Sequence, residues 1–209
     1  YGMDYKDVLR NKDTETSKTV FEPSLWASYD FASFWKIWAF GNLGYDFGSF
    51  GSVYDGFVLT NPRALGNRNS TLLPENRTLN ATSRLEYRNP LNNLFFNIRY
   101  TYADFNKNII SATKRFESGA ATTSLVYEDN NSYSQSEGAE IGKYFPKFKT
   151  NASVTFTNRD SNSFSRLIDK NDVSNLIENK NNTQSFALKF NNTYFSWMSV
   201  DYNISMNWY

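Results

Sequence analysis

From Val200 onward the apolar residues Val200, Tyr202, Ile204, Met206 and Trp208 alternate strictly with Ser199, Asp201, Asn203, Ser205 and Asn207. A period of two sends the two sets to opposite faces of a β-strand. The rhythm recurs along the chain. Leu25, Ala27, Tyr29 and Phe31 oppose Ser24, Trp26, Ser28 and Asp30, and Ile37, Ala39, Gly41, Leu43, Tyr45 and Phe47 follow on a returning strand. Leu79, Ala81, Leu85 and Tyr87, then Leu94, Phe96, Ile98, Tyr100 and Tyr102, mark a second hairpin. Ala139 and Ile141, then Ala152, Val154 and Phe156, then Phe186, Leu188 and Phe190 complete the series. Eight strands are predicted, at about 20–31, 35–47, 77–87, 94–106, 132–143, 150–158, 184–191 and 197–209.

The connections alternate in length. Phe31-Ala32-Ser33-Phe34, Arg88 to Asn93, Phe145-Pro146-Lys147-Phe148 and Asn192-Thr193-Tyr194-Phe195 read as short turns. Long polar connections are predicted at about 48–76, 107–131 and 159–183, and Leu167-Ile168 with Leu176-Ile177 suggest a short helix in the last. Short turns on one side and long loops on the other is the asymmetry of a transmembrane β-barrel, whereas a soluble sandwich has more even connections. The predicted fold is all-β, an antiparallel up-and-down set of about eight transmembrane strands. Aromatics near the strand ends, among them Phe31, Trp35, Tyr87, Phe145, Trp197 and Trp208, are placed to form interfacial girdles. If the short turns are periplasmic, the last strand runs outward and Tyr209 lies on the exterior side. Both chain ends are therefore expected to be cuts through a larger barrel, and the start at Tyr1 fits a processed or incomplete chain.

Composition agrees with segregation by face. Aromatics make up 18% of the 209 residues, yet mean hydropathy is −0.61. No run is long and apolar enough for a membrane helix, and no charged-plus-apolar N-terminal stretch reads as a secretion signal. The absence of Cys and His removes thiolate chemistry, the usual general base and the commonest metal ligands, so neither an enzyme nor a cofactor is expected. Glu128-Asp129 and Asp169 with Asp172 lack the carboxylate spacing of a calcium loop, so no metal site is assigned. A net charge of +1 with dispersed Lys and Arg gives no basic stripe for nucleic acid.

Two groups are candidates for ligand contact. Trp26, Trp38, Phe40, Phe95, Arg84, Arg99, Lys36, Asp46, Glu86 and Asp201 fall on the polar faces and are predicted to face the lumen. Their plainer role is cross-strand pairing and packing against a plug. In the first long loop, Tyr54, Asp55, Phe57, Arg63, Asn67 and Arg68 are candidate exterior ligand contacts, since loops on rigid scaffolds carry specificity. The Asn-x-Ser/Thr sequons at Asn69, Asn76, Asn80, Asn130, Asn181 and Asn191 follow from the richness in these residues and are set aside.

The stretch from Phe21 to Ile110 resembles the C-terminal barrel half of TonB-dependent outer-membrane receptors, in particular the Bacteroidetes-type, SusC-like barrels. Phe21-Glu22-Pro23-Ser24-Leu25, the loop Asn61-Pro62-Arg63-Ala64-Leu65-Gly66-Asn67-Arg68-Asn69 and Leu73-Pro74-Glu75-Asn76 carry the resemblance. Tyr87, Asn89-Pro90, Leu94-Phe95-Phe96-Asn97 and Lys107-Asn108-Ile109-Ile110 extend it. The resemblance implies a place in the outer membrane of a Gram-negative bacterium and a barrel of about 22 strands. It also implies import of a nutrient such as an oligosaccharide, peptide or metal chelate. The expected partners are outer-membrane lipid and lipopolysaccharide, the protein's own plug domain, TonB and a surface lipoprotein. Neither a plug domain nor a TonB box lies within the 209 residues. The alternatives are a non-transporting barrel acting as scaffold in a larger surface or secretion complex and, more remotely, a diffusion porin.

Overall fold

The computed structural model describes residues 2–6, 15–48, 56–61, 64–68, 74–169, 172–195 and 198–208. A separate hairpin of β1 (Gly2–Lys6) and β2 (Glu15–Thr19) precedes the main sheet. The sheet is built from β3 (Ser24–Phe31), β4 (Trp35–Asp46), β7 (Asn76–Asn89), β8 (Leu94–Arg115), β9 (Ala121–Phe145), β10 (Thr150–Ile168), β11 (Ser174–Phe195) and β12 (Met198–Trp208). Each strand pairs antiparallel with its neighbour, in the order β3-β4-β7-β8-β9-β10-β11-β12. A short hairpin of β5 (Gly56–Asn61) and β6 (Ala64–Arg68) lies within the first long connection. Among the described residues β3 and β12 do not pair with each other, so the sheet has two edges.

Register carries the alternation from strand to strand. One row runs Tyr29–Ile37–Leu85–Ile98–Ala139–Phe156–Phe186–Met206 and the next Phe31–Trp35–Tyr87–Phe96–Ile141–Val154–Leu188–Ile204. These rows form an apolar belt that little else covers. Among the described residues only Val20, Phe47, Ile110 and Ala112 are buried apolar side chains, while Leu25 is 75% exposed, Tyr29 67%, Ile98 44% and Met206 54%. The belt ends in aromatics at the short turns, where the Trp35 and Tyr87 rings lie 4.9 Å apart and the Phe31 ring stacks on Trp35. Beyond Tyr100 and Tyr102 the same face turns polar, with Asp104, Tyr133, Gln135, Asp160 and Asn162 in register. There the Tyr133 hydroxyl donates to Asp160 Oδ2 at 3.0 Å and the Tyr133 amide to Asn162 Oδ1 at 2.8 Å.

The turns use local hydrogen bonds and left-handed residues. Asn89 Oδ1 accepts from the amides of Leu91 at 2.9 Å and Asn92 at 3.3 Å, fixing the Pro90 turn. Ala32, Ser33, Asn93 and Lys149 all have positive φ. The predicted 145–148 turn is a single 3-10 turn, Pro146–Phe148.

Two predicted loops are corrected. Most of 107–131 and 159–183 is strand, with β8 running to Arg115, β9 starting at Ala121, β10 running to Ile168 and β11 starting at Ser174. Leu167-Ile168 and Leu176-Ile177 belong to β10 and β11, not to a helix. The stretch 132–143, with little apolar alternation, is the middle of the longest strand, the 25-residue β9. The predicted 192–195 turn is also strand, broken by a register shift between Asn192 and Phe195.

The outer parts of these strands form a second arrangement. After a register shift between Lys107 and Ile109, β8 continues against β9 from Ile109↔Tyr127 to Arg115↔Ala121. Here β8 takes the end of β10 as a parallel neighbour, from Arg166↔Ala112 to Ile168↔Lys114. The outer part of β9 takes β6, from Ala64↔Ala121 to Asn67↔Ser124. The order is β6-β9-β8-β10 outside and β8-β9-β10 in the body, so the hairpin has turned over at the irregularity, where local twist concentrates. Ile110 and Ala112 are buried at this crossing, 2% and 1% exposed. The β9–β10 ladder stops at Tyr133↔Asn162, and Arg166 bridges the opening. Its Nε and Nη2 donate to Glu128 Oε2 and Oε1 at 2.5 and 2.7 Å, and Nη1 reaches Ser174 Oγ at 3.2 Å.

Two predictions follow from these contacts. Hydrogen bonding to the Arg166 guanidinium lowers the Glu128 pKa below its ordinary 4.5, partial burial opposing it and the opposite charge adding to it. A carboxylate so depressed adds stability above its ordinary pKa, and that contribution is lost as pH falls through the lowered value. Pulse-labelled hydrogen exchange is expected to show the protection of the outer β8–β9 amides falling modestly as pH drops below the ordinary 4.5, and Glu128→Gln losing that pH dependence, since a solvent-screened ion pair contributes little. In the body, a methyl group on Gly142 would come within 2.2 Å of Phe95 Cζ, because the ring lies over its cross-strand glycine. Gly142→Val is expected to lower stability in a urea titration by about 1–3 kcal/mol, and Phe95→Ala in the same chain to recover part of it.

Candidate functional site

The polar face of the sheet is as continuous as the apolar one. One row reads Ser28–Trp38–Arg84–Arg99–Gly138–Thr157–Ser185–Asn207. The neighbouring row reads Trp26–Phe40–Thr82–Thr101–Ser136–Arg159–Thr183. Strand parity alone produces this convergence, because residues two apart share a face and register aligns them across strands. Trp26, Trp38, Phe40, Arg84 and Arg99 are thus brought into two adjacent rows. Asp201 shares the face but lies on β12, paired through Asn191, whose side-chain amide donates to its carboxylate. It is six strands from Trp38 and stands apart from the group.

Charge on this face is unevenly matched. Arg84 Nε lies 2.9 Å from Glu86 Oε1 without the alignment of a hydrogen bond, so the contact is Coulombic. Arg88 Nε approaches the other Glu86 oxygen at 3.4 Å. Glu140 Oε2 accepts from Asn97 Nδ2 at 2.9 Å. Lys36 Nζ is 3.6 Å from Asp30 Oδ1, across the short turn. Arg99 and Arg159, both exposed, have neither a hydrogen bond nor an ion pair among the described residues.

Two depressions accompany these residues. One of about 310 Å³ sits at the β3–β4 turn, between Asp30, Phe34, Trp35, Lys36 and Arg88. The other, of about 340 Å³, is set into the middle of the polar face and lined by Arg99, Thr101, Ser136, Gly138, Thr157 and Arg159. Arg159 was missed in the sequence because it lies past the predicted end of its strand, and only the true length of β10 places it. No group of His, Cys, Asp or Glu that could hold a metal occurs among the described residues.

The candidate loop contacts divide. Tyr54, Asp55 and Arg63 lie outside the described residues. Phe57 is placed in β5, and Asn67 and Arg68 in β6, where Phe57 pairs with Asn67 and Asn67 also pairs with Ser124 of β9. The backbone thus sets β6 beside the outer end of the β8–β9 hairpin.

No family model and no curated protein matches the sequence. Among solved structures, the beta domain of the Bordetella autotransporter Brka aligns with 82% of this chain at 15% identity and a TM-score of 0.40. The outer membrane transporter YddB from Escherichia coli aligns with 90% at 8% identity and a TM-score of 0.36. The chain spans 60% of the first structure's length and 33% of the second's.

Proposed function

We propose that this chain is a section of the wall of a β-barrel in the outer membrane of a Gram-negative bacterium, and that the barrel imports a nutrient through its lumen in a TonB-dependent manner. The observation that carries the membrane reading is the exposed apolar belt. An eight-strand face with Leu25, Tyr29, Ile98, Phe156, Ile204 and Met206 open to its surroundings is far larger than the apolar patches that soluble monomers tolerate. Lipid covers such a face at no cost. On β8 the belt from Leu94 to Tyr102 rises about 26 Å along the strand, or about 20 Å across a bilayer at a tilt of about 40°, close to the apolar band of such barrels. Lipid also forbids open edges, so β3 and β12 need further strands to close the barrel.

Three features support the import reading. They are the resemblance of the loop and turn motifs to those of SusC-like receptors, a polar face carrying arginines and tryptophans, and the outer sheet of β6, β8, β9 and β10 above the belt. The partners are then lipopolysaccharide and lipid on the outside, a plug domain in the lumen, TonB and a surface lipoprotein. No catalytic step is assigned.

Arginine at Ile98 or Ile204 is expected to cost about 2–4 kcal/mol in a urea titration in lipid vesicles, and arginine at Asn203 close to nothing. Equal costs on the two faces would defeat the membrane reading. For the import reading, deletion of tonB in the source organism is expected to abolish uptake through this barrel. Uptake that persists would leave a passive or scaffolding barrel in its place.

A further inference from the structure

We infer that the depression in the middle of the polar face binds the carboxylate or phosphate of a ring-bearing solute, held between Arg99 and Arg159 above Gly138. This rests on the barrel reading, which makes that face the lumen wall, and it names the chemical class of what passes.

Six positions in register line the depression. Arg99, Gly138 and Thr157 form one row and Thr101, Ser136 and Arg159 the next, so the two arginines stand at opposite corners. Their backbones are two strand spacings apart across the sheet and two residues apart along it, about 12 Å in all. Between them stand a glycine and a serine, which keep the floor low and leave room for an oxyanion. Thr101, Ser136 and Thr157 supply hydroxyl donors around the rim. Guanidinium groups are suited to carboxylate and phosphate because they present two parallel N–H donors to two oxygens.

The charges nearby leave this pair unmatched. Glu86 is taken by Arg84 and Arg88, while Glu140, one row toward the short turns, is turned to the neutral Asn97 amide and makes no ion pair with either arginine. Arg84 and Arg99 are direct cross-strand partners, an arrangement of like charges that costs stability. Glu86 offsets the Arg84 charge, and an anion bound at Arg99 relieves the repulsion that remains. Local departures from good pairing concentrate at functional sites.

The ring is read from the adjoining strands. Trp38 lies in the row of Arg99, separated from it by Arg84, and Trp26 and Phe40 lie in the next row, 64% and 38% exposed. An aromatic surface next in the row to a cationic one fits a sugar acid or sugar phosphate, whose charge meets the arginines while its ring extends toward Trp38, three strand spacings or about 14 Å from Gly138.

The test uses the native assembly extracted in detergent, titrated calorimetrically with glucose 6-phosphate, glucuronate, inorganic phosphate and glucose. The two sugar anions are expected to bind, and glucose to bind at least about tenfold more weakly. Arg99→Gln and Arg159→Gln should each weaken both anions about tenfold or more, whereas Lys189→Gln, two rows toward the short turns, should not. Trp38→Ala should weaken the sugar anions but not inorganic phosphate. Ser136→Glu, which adds a carboxylate at the centre, should abolish anion binding and guards against an arginine variant that misfolds. No anion binding by the parent assembly, or affinity unchanged in both glutamine variants, overturns the proposal. Extraction into buffer without detergent would instead defeat the membrane reading itself, so the two failures are distinguishable.

Discussion

Everything in the body of this sheet depends on a ladder of backbone hydrogen bonds that holds one register across the belt. A strand between two different surroundings must keep its parity, since a slip of one residue exchanges every side chain between faces. From β3 to β12 the pairing keeps Ile37, Leu85, Ile98 and Phe156 on one side and Trp38, Arg84, Arg99 and Thr157 on the other. The ladder satisfies the backbone, and parity then decides what each surface can do. Stability here does not come from a buried core. The apolar side chains remain on the outside, and their contribution is realised against a second solvent in the proposed membrane setting.

The limits of the belt are written in chemistry. At the short turns Phe31 stacks on Trp35, whose ring lies tilted against Tyr87. At the other limit Tyr100 gives way to Asp104, Gln135 and Asp160 on the same face. An amphipathic ring between aliphatic and charged neighbours suits a boundary between hydrocarbon and water. Beyond it both faces of the strands meet water, and the pattern that marks the belt has no reason to continue.

That change explains what was legible in the sequence. Leu25 to Phe31, Leu94 to Tyr102 and Val200 to Trp208 alternate because only one face is apolar, and these strands and their faces can be read directly. Asn89-Pro90 and Phe145-Pro146 mark turns through local chemistry that needs no distant partner. From Ile109 to Tyr127 and from Asp160 to Ile177 the apolar residues do not alternate, falling side by side as Ile109-Ile110, Leu125-Val126-Tyr127, Leu167-Ile168 and Leu176-Ile177 among Thr, Ser, Asn and charges, so a strand there looks like a loop. What makes it a strand is backbone pairing along the β8–β9 and β10–β11 hairpins, down to Arg115 with Ala121 and Ile168 with Ser174, with the end of β10 set beside Ala112 of β8 as well. The site suffered for the same reason. Trp38, Arg84 and Arg99 lie within readable strands, whereas Arg159 became part of the group only when β10 proved longer than its apolar pattern.

The overturned β8–β9 hairpin also constrains how the molecule is assembled. The body joins consecutive strands, so it can grow hairpin by hairpin from contacts close in sequence, the arrangement that forms fastest. The outer sheet cannot. Its middle pair is flanked by β6, from earlier in the chain, and by the end of β10, from later. It therefore closes only after three separate parts of the sequence have arrived, with Arg166 reaching Glu128 as one of its last contacts. The exterior is a latch set after the wall is standing.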